Sequence, residues 1–251
     1  MSNVGQVRLN QGWQFIGDLR RAVPTGLRGR PEIADSPCAD GCGVCASVCP
    51  TDAIRLDPVR IDLGRCVFCN ECALSCPSER IVFTPEPRMG AANLDGLVVH
   101  PGRAAPTPVA TSRALHALFG RSLKLRQVSA GGCNACEMEL NALANVNFDL
   151  QRFGIEWVAS PRHADALVVT GPITRNMTEA LQLAWDAMPS PRFVVSVGAC
   201  AISGGLYAHS PALDRGFVDR IAPTLYVPGC PPHPLTFINA ILDVLGIDTG
   251  G

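Results

Sequence analysis

Cys38-Ala-Asp-Gly-Cys42-Gly-Val-Cys45-Ala-Ser-Val-Cys49-Pro50 is matched further along by Cys66-Val-Phe-Cys69-Asn-Glu-Cys72-Ala-Leu-Ser-Cys76-Pro77. Each run sets three cysteines at gaps of two or three residues, then a fourth after three more, directly before proline. The two runs form an internal repeat, and this spacing is the ligand pattern of four-iron, four-sulfur clusters. The remaining cysteines are dispersed: Cys133 and Cys136 in a C-x2-C pair, then Cys200, then Cys230 before Pro231. All twelve cysteines therefore fall into three sets of four. Three clusters in one small chain would make a wire, so the pattern predicts an electron carrier.

Composition supports this reading. The 251 residues have room for one or two domains, and 47% apolar content suffices for a real core. The formal charge of −1, with no long basic run, gives no support for nucleic-acid binding. No stretch approaches the roughly 20 apolar residues of a spanning helix. No apolar segment marks a secretory signal near the amino terminus. Arg20-Arg21 precedes Ala-Val-Pro-Thr-Gly rather than a hydrophobic segment, so it reads as two surface arginines and not a twin-arginine signal. Without export, closely spaced cysteines read as metal ligands rather than disulfides. Structural zinc is the alternative occupant, since it also favours four thiolates. Four cysteines per run, each run ending in Cys-Pro, oppose it.

Composition also divides the chain into three parts: a leader and the eight-cysteine region over residues 1–83, a connector over 84–113, and the remainder, 114–251. The middle part holds Pro85, Pro87, Pro101, Pro106 and Pro108 among glycines and alanines, which suits an extended connector. In the last part, Ala166–Thr170, Phe193–Val197 and Thr224–Val227 are short apolar runs rich in β-branched residues, as expected for parallel strands covered on both faces. Leu123–Val128 is more polar and is expected as a strand near an edge. Asn176 followed by Glu179 resembles a capping box, and Met177, Leu181, Trp185 and Met188 form one apolar stripe of core packing. Ile238, Ile241, Leu242 and Leu245 repeat at helical spacing, with Gly246 as terminator. The expected fold is an α+β ferredoxin-like two-cluster domain, then an α/β domain with a small open parallel sheet of flavodoxin-like type.

The dispersed cysteines gain meaning from these strands. Leu123–Val128 leads through Gly131 and Gly132 to Cys133 and Cys136. Phe193–Val197 leads through Gly198 to Cys200, and Thr224–Val227 through Gly229 to Cys230. All four cysteines lie just past the carboxyl ends of predicted parallel strands, the edge at which open α/β sheets bind ligands. Gly131, Gly132, Gly198 and Gly229 are expected to let backbone approach a bulky cofactor, with their N–H groups available to sulfur.

The eight-cysteine region closely resembles the two-cluster ferredoxins, down to the exit Cys49-Pro-Thr-Asp-Ala-Ile. In that family the fourth cysteine of one run serves the other cluster. The resemblance implies one cluster on Cys38, Cys42, Cys45 and Cys76, and another on Cys66, Cys69, Cys72 and Cys49. The first gap is one residue longer than usual (Ala39, Asp40, Gly41) and is expected to bulge the loop without displacing Cys38. A region this small buries little surface, so it is expected to unfold without iron.

Residues 121–246 resemble the small subunit of nickel–iron hydrogenases and the homologous cluster subunit of respiratory complex I. The segments that carry this are Gly131-Gly-Cys-Asn-Ala-Cys-Glu-Met-Glu139, Pro161-Arg-His-Ala-Asp-Ala-Leu-Val-Val-Thr-Gly-Pro172, Val197-Gly-Ala-Cys200 and Pro228-Gly-Cys-Pro-Pro232. Complex I proteins have adjacent cysteines where this chain has Cys133-Asn134-Ala135-Cys136, the hydrogenase spacing. The nearest likeness is to membrane-bound, energy-converting hydrogenases of the formate-hydrogenlyase type, here with a ferredoxin subunit fused on. Arg28-Gly-Arg-Pro-Glu-Ile33 is similar to such ferredoxin subunits. The resemblance implies three 4Fe–4S clusters, a hydrogenase-type large subunit holding the catalytic site, and membrane-arm partners. It also implies a possible soluble electron donor and a peripheral place at the cytoplasmic face of the cell membrane. A nickel-free complex I-like, quinone-reducing or ion-pumping complex is the second reading. No catalytic residue is assigned to this chain. Glu137 and Glu139 are candidates for proton relay or subunit contact. His163 and His233 are expected to be structural, and His100, His116 and His209 carry no signal. Gly204-Gly205 does not make a nucleotide fingerprint, so no flavin or nicotinamide is expected.

Overall fold

The computed structural model describes residues 3–12, 15–103, 109, 112–119 and 122–247. In chain order the elements are α1 (Asn3–Gln11), β1 (Pro31–Ile33), α2 (Val44–Ser47), β2 (Ile54–Arg55), β3 (Arg60–Asp62), α3 (Glu71–Leu74), β4 (Ile81–Phe83) and β5 (Val98–Val99). Then come α4 (Arg113–Phe119), β6 (Leu123–Ser129), α5 (Ala135–Ala142), β7 (Ile155–Trp157), β8 (Ala166–Thr170), α6 (Arg175–Asp186), β9 (Phe193–Val197), α7 (Gly198–Ser203), α8 (Gly216–Arg220), β10 (Leu225–Val227) and α9 (Pro234–Leu245).

β8 and β9 bury every residue, which is why their sequences read as unbroken apolar runs. They are central in a five-stranded sheet of order β7-β6-β8-β9-β10, parallel throughout. Counted within this half of the chain, the order is 2-1-3-4-5, the flavodoxin-like arrangement. One face packs on the almost wholly buried α9, whose Ile238, Ile241, Leu242 and Leu245 all face core. The other packs on Leu181, Met188 and Phe217. Gly246 ends α9 in the left-handed region at φ 61°.

Three sequence expectations need revision. α6 begins at Arg175 with Thr174 as its N-cap, and Asn176 makes no capping bond. The reason is tertiary: the Thr174 N–H is tied to the Ala130 carbonyl, which fixes the helix start two residues before the apparent capping box. β6 is flanked by β7 and β8, so the edge belongs to β7, a three-residue strand too short to show a period. Arg20 and Arg21 also part company. Arg21 is exposed, whereas Arg20 reaches Asp243 Oδ1 at 2.6 Å and donates to Asn239 and the Ile247 carbonyl. Leu19, beside it, is fully buried in the α/β core.

In the eight-cysteine region β1 pairs antiparallel with β4, and β2 with β3. β5, from the proline-rich segment, extends the second pair through β3. That segment is well packed where described: Met89, Ala91, Leu97 and Val99 are buried. Ala91 exchanges two backbone hydrogen bonds with Tyr226 (3.0 and 2.8 Å), covering the free edge of β10. Pro106 and Pro108 lie outside the described residues. The two halves share a core: Ile202 and Tyr226 belong to one buried cluster with Ile33, Ile61, Phe68 and Leu97. Contact is close enough that a Cβ on Gly64 would stand 2.8 Å from Ile202 Cγ2, and one on Gly90 2.4 Å from Ala240 Cβ.

Candidate metal centres

Four-residue helices α2 and α3 carry Cys45 and Cys72, the third cysteine of each run, as equivalent elements of the repeat. The chain then crosses over. Burial pushes the Cys45 thiol up, and its thiol neighbours are Cys38, Cys76 and Cys42. Burial pushes Cys66 up to about 12, with Cys72, Cys49 and Cys69 around it. The fourth cysteine of each run thus stands with the first three of the other. Cys72, raised by burial to about 11, also feels Cys45, so the two quartets adjoin. In the longer first gap, Gly41 adopts φ 70° and the Cys42 N–H bonds the Ala39 carbonyl, folding the additional residue into a turn.

The third group assembles at the carboxyl edge of the parallel sheet. Cys136 is pushed up to about 12 by burial, with Glu137, Cys200, Cys230 and Cys133 beside it. Cys133 leads through Asn134, in the left-handed region at φ 70°, into α5, and Cys69 leads through Asn70 at φ 75° into α3. This conformation, which asparagine tolerates, turns the second cysteine of each pair into a helical first turn. Cys200 lies in α7 directly after β9, and Cys230 follows β10 after Pro228 and Gly229.

Donor chemistry fits iron–sulfur clusters. Each quartet is all thiol, and backbone N–H groups already point at sulfur: Ala53 to Cys49 (3.2 Å), Phe68 to Cys66 (3.3 Å) and Arg80 to Cys76 (3.4 Å). Such bonds stabilise thiolate charge and tune cluster potential. Among the described residues, no group of three or more His, Cys, Asp or Glu is gathered tightly enough to hold a single metal ion. A cavity of about 560 Å³ opens beside Cys38 and Cys42. Another, of about 250 Å³, has Cys69 and Phe68 on one wall and Cys230, Gly229 and His233 on the other.

A Cβ at any of the four expected glycines would crowd the protein itself. A Cβ on Gly131 would meet Thr174 Oγ1 at 2.5 Å, one on Gly132 the Gly171 Cα at 3.1 Å, and one on Gly229 the Pro232 Cα at 2.3 Å. Those three are required by loop packing. Gly198 alone of the four faces a candidate ligand: its Cβ would stand 2.7 Å from Cys136 Sγ.

Glu137 is buried and accepts a 2.6 Å hydrogen bond from Thr170 Oγ1. Burial pushes its carboxyl up, but hydrogen bonds from Thr170, Ser129 and its own backbone outweigh this and hold it below the usual range. Glu139 is half-buried, and burial raises its carboxyl. His233 caps α9, its Nδ1 accepting from the Leu235 N–H, and burial lowers its pKa. His163 is exposed.

Two arginines at the sites escaped the sequence reading. Arg215 donates to the carbonyls of Cys200, Ala201 and Ile202 (3.2, 2.9 and 2.8 Å), holding the end of α7. Arg80 donates to Cys38 Sγ at 2.6 Å. Arg215 left no local signal, being fifteen residues from Cys200. Arg80 did: aligning the two runs places it where the first has Ala53.

Comparison with known proteins agrees with this architecture. Residues 133–244 match the family model of the 20 kDa subunit of NADH ubiquinone oxidoreductase, and residues 37–80 match a 4Fe-4S dicluster domain. A probable membrane-bound hydrogenase subunit, mbhJ, of Pyrococcus furiosus is 40% identical over 125 residues, 49% of this chain and 74% of that protein. Formate hydrogenlyase subunit 7 of Escherichia coli is 43% identical over 128 residues, 51% of this chain and 50% of that protein. An NADH-quinone oxidoreductase subunit of Desulfovibrio desulfuricans is 42% identical over 151 residues, 59% of this chain and 78% of that protein. The chain belongs to the 20 kDa cluster-subunit family shared by nickel–iron hydrogenases and complex I, with a 4Fe–4S dicluster domain ahead of it. It is an iron–sulfur electron-transfer subunit of the hydrogenase and complex I-like type. Among the described residues no helix is long and apolar enough to cross a membrane.

Proposed function

We propose that the chain holds three 4Fe–4S clusters in a line: one on Cys38, Cys42, Cys45 and Cys76, one on Cys49, Cys66, Cys69 and Cys72, and one on Cys133, Cys136, Cys200 and Cys230. When bound, such clusters exchange single electrons. The proposed route starts from a donor at the first quartet, passes the third, and ends at a nickel–iron large subunit. The cavity shared by Cys69 and Cys230 carries this reading, because a proposed ligand of the second quartet and one of the third line it together. The Cys72 thiol feels Cys45 as well as Cys69 and Cys49, which supports setting the first quartet behind the second.

The protein's own part is to fix those positions. Gly64 against Ile202 and the Ala91–Tyr226 pairing tie the cysteine-rich region to the elements bearing Cys200 and Cys230. We divide the chain accordingly at about residues 83 and 113, with the leader and connector strapped across the α/β part. Exposed Met138, two residues after Cys136, and exposed Leu206 and Tyr207, just after Gly205 whose Cβ would stand 3.2 Å from Cys200 Sγ, suit burial under a large subunit. Attachment at the inner face of a membrane would come through partner subunits, and a soluble donor would meet the first quartet.

Anaerobic purification with bound partners, followed by nickel analysis and hydrogen-dependent dye reduction, tests this. Nickel with hydrogen activity is the expected result. The 42% identity over 151 residues to an NADH-quinone oxidoreductase subunit supports a second reading, a nickel-free complex with quinone or an ion gradient at its far end. Full iron loading without nickel or hydrogen activity would select it.

A further inference from the structure

The two halves of the dicluster repeat differ at one buried position. Ala53 and Arg80 each lie four residues after the last cysteine of a run, and each donates its backbone N–H to that cysteine's sulfur. Ala53 ends there. The Arg80 side chain continues into the interior, where it is 7% exposed, and donates Nη1 to Cys38 Sγ and Nη2 to the Ala34 carbonyl, both at 2.6 Å. Its Nε is buried with no acceptor among the described residues. A guanidinium so held, with one donor on a thiol and another unsatisfied, suits a neighbour that carries negative charge.

We propose that Arg80 holds the reduction potential of the first-quartet cluster above that of the second, making it the preferred resting place of an incoming electron. This rests on the ligand sets proposed above. Adding one electron to a cluster adds one negative charge. A fixed cation bonded to a ligand sulfur stabilises that form more than the oxidised one, which raises the potential. Other charges near the first quartet are weaker at this range. Asp35, Asp40 and Asp57 line its cavity but are exposed, so water and salt screen them. At the second quartet Arg28 is exposed and donates to the Cys69 carbonyl rather than to a sulfur, and Arg65, beside Cys66, is paired with Asp62 at 3.8 Å.

The test is an anaerobic redox titration of the iron- and sulfide-reconstituted full chain, followed by electron paramagnetic resonance. Cys42→Ser identifies the signal of the first quartet, and Cys69→Ser that of the second. In the wild type the first midpoint should lie above the second. Arg80→Gln, which keeps a donor without the charge, should lower the first midpoint by at least a tenfold change in the reduction equilibrium, about 59 mV for one electron. Other signals should not move, and Arg80→Lys should recover part of the shift. A reversed or equal order in the wild type overturns the proposal without any variant, as does an unmoved midpoint in iron-replete Arg80→Gln. Failure of the ligand assignment looks different: the wild type would lack iron and sulfide, or the cysteine variants would leave all signals intact.

Discussion

Gly198 holds φ 86° at the junction of β9 and α7, where a Cβ would stand 2.7 Å from Cys136 Sγ. Any side chain there both strains the backbone and displaces a proposed ligand. Gly198→Ala should lower stability by about 1–3 kcal/mol and deplete the third cluster while sparing the other two. Thermal melts with iron analysis check this, and wild-type melting with full iron would refute it. At this scale the cysteines were legible because their spacing is local. Arg215 and the Glu137–Thr170 bond were not, because their partners lie fifteen and thirty-three residues away.

Among the elements, α2 and α3 have four residues each, far below the length that sustains a helix alone. On the proposed ligand sets, they are expected to depend on what their cysteines bind. Residues outside the cysteine loops are better supported, since Ile61, Leu97 and Val99 share a core with Ile202 and Tyr226. Iron removal should therefore open the loops over 38–49 and 66–76 while β6, β8 and β9 keep their protection, as hydrogen exchange would show. Unchanged protection of both loops would contradict this. Reloading has a pH sense as well. Burial pushes the Cys66 and Cys136 thiols up to about 12, so both keep their protons in the metal-free fold. Binding must release them, and iron affinity should rise from about pH 6 to about pH 9. The elements most legible in sequence were β8 and β9, whose full burial writes a continuous apolar run. β7 has only three residues and shows no period. The start of α6 is set by Ala130 across the sheet, which no local motif reports.

For the whole molecule, the parallel α/β sheet and the strand-end position of the dispersed cysteines followed from apolar runs and glycine turns. The way the halves join did not. Leu19 and Arg20 reach the α/β core from the leader, and Ala91 pairs with the β10 edge from the proline-rich segment. These contacts are tertiary and leave no periodic trace, yet they set the separation between Cys69 and Cys230 on which the proposed line of clusters depends. The most direct test counts that line. Iron, acid-labile sulfide and reduced-state paramagnetic signals should be measured on the anaerobic full chain and on Cys133→Ser. The account predicts about twelve iron atoms per wild-type chain, and loss in the variant of about a third of them and of one signal only. A wild-type chain with about eight iron atoms, or zinc in place of iron, would contradict it.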